Sequence, residues 1–92
     1  MKIEEVIVLL KFYKQRNNKR FKDLKEFYKY AEEVYNEFSE DKKLIIEDRI
    51  FNKNSLVHTS VLTGKSIATI SRVTKKFYTK VYAKCKINNY RV

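Results

Sequence analysis

The stretch Leu56–Thr79, LVHTSVLTGKSIATISRVTKKFYT, decides the fold. It contains Gly64, the only glycine of a chain that has no proline. Glycine reaches the left-handed backbone region without a Cβ penalty, and the usual demand for that region is just past a helix C-terminus. The pattern predicts one helix over Leu56–Thr63, capped by Ser55, and a second that opens at Ser66. Two helices on a tight glycine turn, the second rich in Ser, Thr, Arg and Lys, read as a helix-turn-helix.

The second helix is the expected reader. Ile70, Val73, Phe77 and Val81 recur three or four apart and form one apolar stripe. At ~100° per residue the opposite side carries Ala68, Ser71, Arg72 and Lys75. Lys65 and Ser66 stand at the entrance, and Thr69 and Lys76 flank that side. Small and hydroxyl side chains let a helix approach base edges closely. Arginine can take guanine O6 and N7 together, and lysine can take phosphate. The expected DNA-binding set is therefore Lys65, Ser66, Ala68, Thr69, Ser71, Arg72, Lys75 and Lys76.

Charge points the same way. The net charge is +10, and all eleven acids lie between Glu4 and Asp48. Eleven bases share that stretch, so residues 1–48 are neutral, whereas residues 49–92 hold ten bases and no acid. Surfaces normally mix signs, and an all-positive half calls for a polyanion. A membrane surface is the competing polyanion, but the basic half lacks the strongly apolar opposite face that inserts in lipid. The expected partner is double-stranded DNA, with no membrane.

Other classes fall away. Ninety-two residues make one small domain. The longest fully apolar run is Val6–Leu10, so neither a secretory leader nor a membrane span is expected. A lone Cys85 cannot form an internal disulfide, which fits a reducing cytoplasm. His58, the only histidine, is far from Cys85 in sequence, and neither has metal-ligand spacing around it. A phosphate-cradling loop needs several glycines. No catalytic residue, cofactor or metal is expected, and the chain does not read as an enzyme.

The remaining segments read as packing helices. Lys2–Arg16 is predicted helical, with Ile3, Val6, Ile7, Leu10 and Tyr13 on one face and Val8 and Phe12 outside it. Asn17-Asn18 supplies a break. Phe21–Phe38 is predicted as a second helix, with Phe21, Leu24, Tyr28, Ala31, Tyr35 and Phe38 in heptad-like steps. Ser39 is the expected cap of a third helix running to about Phe51. Asn88-Asn89 should end the last helix, and Tyr90–Val92 should fray.

From about Glu37 to Ala83 the chain resembles the small phage transcriptional activators of the RinA, ArpU and LtrC type, with a sigma-region-four-like helix-turn-helix. The matching residues are Asp41-Lys42-Lys43-Leu44-Ile45-Ile46, Ile50-Phe51, and Ser66 with Thr69-Ile70-Ser71-Arg72. Ser66–Arg72, SIATISR, is also similar to the reading-head entrance of the Trp repressor. Such families usually carry an aliphatic residue just before the turn, where this chain has Thr63; either the turn is one residue longer or Thr63 packs by its methyl. The resemblance implies a virus- or prophage-encoded late-gene activator that binds a promoter and contacts host RNA polymerase.

The expected fold is all-α, a compact bundle of about five helices. Residues 1–38 would serve packing and dimerisation, and residues 39–92 would carry the helix-turn-helix. The expected function is sequence-specific binding of double-stranded DNA in transcription control, as a homodimer. The alternative is a protein-binding module, such as an anti-activator, that keeps the helix-turn-helix fold. Four to six phosphate contacts, counting Arg49 and Lys53, predict a slope of roughly −4 to −5 per chain in log affinity against log salt.

Overall fold

The computed structural model describes residues 1–90. It contains α1 (Ile3–Leu10), α2 (Lys25–Tyr35), α3 (Glu40–Ile46), α4 (Leu56–Thr63) and α5 (Ile67–Ile87), with no strand among the described residues. Capping chemistry sets the ends of the last two as the sequence predicts. The Ser55 hydroxyl accepts from the His58 amide at 3.0 Å, and that of Ser66 from the Thr69 amide at 3.2 Å. Gly64 closes α4 with φ 70° and ψ 13°, and its amide donates to the Ser60 carbonyl at 2.9 Å.

α5 organises the molecule. At 21 residues it is ~31 Å long, and α1, α2, α3 and α4 all pack on it. Its buried stripe is Ile70, Val73, Thr74, Phe77, Val81 and Cys85, the predicted row extended at one edge and one end. Phe77 is wholly buried, with the rings of Phe38 and Phe51 edge-on at 6.0 Å each. Val6 and Leu10 from α1, Phe27, Ala31 and Val34 from α2, and Ile45 and Ile46 from α3 complete one continuous core. α1 and α2 therefore share the core of the helix-turn-helix.

Aromatic packing shortens the first helices. The predicted helix over Lys2–Arg16 stops at Leu10, and the backbone tightens into a 3-10 turn at Tyr13–Gln15. There Tyr13 is pulled inward to stack on Phe51 at 4.1 Å. The predicted Phe21–Phe38 helix begins as a 3-10 segment, Lys19–Leu24, with a kink at Phe21. The Phe21 ring stacks on Phe12 at 5.6 Å and meets Tyr28 edge-on. Local helix preference is worth tenths of a kcal/mol per residue, and burying a ring outweighs it.

The third helix also departs from expectation. Its α-helical part ends at Ile46 and continues as a π turn, Glu47–Phe51, in which the Asn52 amide donates to the Glu47 carbonyl at 2.8 Å. Three of its residues, Asp48, Ile50 and Phe51, are buried. Ser39 takes the cap position, but its hydroxyl donates to the Asp41 carboxylate at 2.6 Å instead of capping. At the far end Asn88 closes α5 and Asn89 turns left-handed. Tyr90 does not fray: its ring lies against Tyr30 at 5.9 Å and Phe27 at 6.2 Å. Arg91 and Val92 lie outside the described residues.

Candidate nucleic-acid interface

The turn between α4 and α5 is Gly64-Lys65-Ser66, three residues whose polar atoms are tied down. The Ser60 hydroxyl donates to the Lys65 carbonyl at 2.7 Å, and the Lys65 amide donates to the Thr63 hydroxyl at 3.3 Å. Thr63 donates in turn to the Thr59 carbonyl at 2.7 Å. α4 ends at Thr63, so the turn is not lengthened; Thr63 is half-buried and Leu62 is exposed.

A buried acid fixes α4 against the preceding turn. Asp48 accepts from the Thr59 hydroxyl at 2.7 Å and from the Asn54 side-chain amide at 2.7 Å, and lies 2.9 Å from His58 Nδ1. Burial alone would raise the Asp48 carboxyl, but the three bonds outweigh it and hold the group below its ordinary value. Sequence reasoning missed this cluster. The available signal was slight: Asp48 stands with Glu47 and Arg49 between the apolar pairs Ile45-Ile46 and Ile50-Phe51.

The solvent side of α5 carries most of the predicted set. Lys65, Ser66, Ala68, Ser71, Arg72, Lys75 and Lys76 are exposed. Thr69 is half-buried and belongs to the cap, its hydroxyl accepting from that of Ser66 at 3.0 Å. Thr79 and Lys86 continue the same side and were not in the predicted set. Arg72, Lys75 and Lys76 have no acid within ion-pairing range among the described residues, and α5 contains no acid.

Not all of the positive half is free. Lys65 lies 3.7 Å from Asp41, Lys80 lies 3.4 Å from Glu37, and Lys84 lies 2.7 Å from Glu33. The first half of the chain thus offsets part of the charge of the second. Of Arg49 and Lys53, both expected to reach phosphate, Arg49 is engaged internally and Lys53 is exposed. Arg49 is half-buried and donates to the Asn54 carbonyl at 2.9 Å, while the Lys53 ammonium lies 5.5 Å from the centre of the Phe12 ring.

A second surface feature adjoins the turn. α4 carries no Lys, Arg, Asp or Glu, and Val57, Val61 and Leu62 are 62%, 80% and 52% exposed. Leu44 and Ile67 are exposed as well. Cys85 is buried and its thiol is pushed up to about 11 by burial, which keeps it in the unreactive thiol form. Among the described residues no group of three or more His, Cys, Asp or Glu side chains is placed to hold a metal ion, and no helix is long and apolar enough to cross a membrane. The chain matches no family model, no curated protein and no solved structure.

Proposed function

We propose that the chain binds double-stranded DNA sequence-specifically through the solvent side of α5 and regulates transcription by binding, without catalysis or a cofactor. The observation that carries this reading is the unpaired row Arg72, Lys75 and Lys76. It lies beside the small side chains of Ala68 and Ser71, on a helix without acids that begins directly after a three-residue turn. Small residues permit approach to base edges, Arg72 supplies a bidentate donor, and the lysines neutralise phosphate. The resemblance noted above extends the proposal to a phage- or prophage-encoded late-gene activator acting in the host cytoplasm.

The test is a titration with duplexes chosen by selection from a random pool. Arg72→Ala should weaken binding to the selected site by about 1–3 kcal/mol and relax preference at one base position. Unchanged affinity and preference would remove Arg72 from the reading set.

A second reading, a protein-binding module that keeps the helix-turn-helix fold, is favoured by the uncharged, exposed face of α4. Contact with host RNA polymerase would use the same face. A DNA reader retards its selected duplex in preference to others; a protein binder with this charge retards all duplexes alike.

A further inference from the structure

The heptad-like row of Phe21–Phe38 is spent inside the chain: Tyr28, Ala31 and Phe38 are buried, and Phe21, Leu24 and Tyr35 are partly buried against the core. The outer side of α1 is not. In chain order it presents Glu4, Glu5 and Val8, and the two residues that follow the helix, Lys11 and Phe12, continue the same side; all are exposed, with Val8 at 51% and Phe12 at 39%. Glu4, Glu5, Val8 and Leu9 line a shallow, mainly apolar hollow. Phe12 stands one turn beyond that hollow as a fixed knob, stacked on Phe21 at 5.6 Å.

We propose that this face pairs with the same face of a second copy of the chain, antiparallel about a twofold axis at Val8. On a wheel of ~100° per residue, Glu4 and Lys11 lie on one flank of Val8, and Glu5, Leu9 and Phe12 on the other. A twofold axis across the helix keeps each flank opposite itself and reverses direction. Glu4 then meets the second copy's Lys11, and the second copy's Phe12 enters the hollow at its Glu5 end, beside Val8. Each contact occurs twice, as an isologous interface requires.

Parallel pairing would set the Glu4 and Glu5 carboxylates against their own copies. DNA is repelled by the same carboxylates. Pairing through residues 1–48 also brings together two neutral halves, whereas pairing through α4 would bring together two basic ones. A two-turn helix pair falls below the ~1,200 Å² of a stable interface, so free association is weak.

The experiment is disulfide trapping of the full chain without DNA, so its failure leaves the DNA-binding reading untouched. Helix axes ~8–10 Å apart place facing residues within disulfide reach. Val8→Cys should oxidise to a covalent dimer of twice 11.1 kDa, and Val61→Cys should not. Buried Cys85 stays out of the exchange. In the Val8→Cys background, Glu4→Lys or Lys11→Glu alone should slow trapping roughly five- to tenfold, and the two together should restore it. Trapping at Val61 no slower than at Val8, or a double exchange that fails to restore the rate, would overturn the proposal.

Discussion

Asp48 shows how one side chain orients the helix-turn-helix. It is 3% exposed, and its partners Asn54, His58 and Thr59 lie six, ten and eleven residues on. A charged acceptor with good donors contributes more than a neutral one, and a buried group left unpartnered is costly. Thr59→Val keeps the shape and removes one donor; urea melts should show a loss of about 1–3 kcal/mol. The pH dependence has a definite sign. The folded carboxyl titrates below its ordinary value of 3.8, so its stabilisation is fully present above that value and disappears as pH falls through the lower, folded one. Acid melts should lose this contribution below about pH 4, and Asp48→Asn should remove that part of the dependence. Gly64 acts on the backbone instead. A Cβ at Gly64 would meet nothing within 4 Å, so Gly64→Ala should cost only the left-handed strain, ~1–2 kcal/mol. Gly64, Ser55 and Ser66 were legible in the sequence because caps and left-handed turns are local chemistry. Asp48 was not, because its donors arrive from a turn and a helix that only the folded chain brings near.

At the scale of elements, α5 was the most legible and α1 the least. Ile70, Val73, Phe77 and Val81 repeat at the helical period over a long uninterrupted segment, and period alone placed them inward. Phe77→Ala should cost about 3–5 kcal/mol in a chemical melt, because Phe38 and Phe51 both lean on that ring. A variant that melts like the parent would mean that the buried side of α5 is assigned wrongly. The ends of the first two helices were misjudged for a tertiary reason. Tyr13 and Phe21 leave the helical path to reach rings that come from far along the chain or from its neighbours. The outward valines of α4 had no signal in the sequence: α4 carries no charged residue to mark a solvent side, and only Thr59 of its eight residues is buried.

For the whole molecule, the decisive property is how charge is divided. Residues 1–48 are neutral and residues 49–92 carry the excess, but the fold brings Asp41, Glu37 and Glu33 over to Lys65, Lys80 and Lys84. Arg49 is bonded internally, and on the solvent side of α5 Arg72, Lys75 and Lys76 have no acid within ion-pairing range among the described residues. Lys65 can join them by giving up an exposed pair worth ~0–1 kcal/mol. If α5 is the DNA surface as proposed, it offers about three to four phosphate contacts per chain, and each contributes ~0.9 to the salt slope. The most direct measurement is the affinity for a selected duplex across a range of salt, for the parent chain and for Lys75→Ala. A slope of roughly −3 to −4 per bound chain, reduced by ~1 in Lys75→Ala with weaker binding to every sequence alike, is the expected result. A slope near zero, or one that Lys75→Ala leaves unchanged, would contradict the assignment of α5 as the nucleic-acid surface.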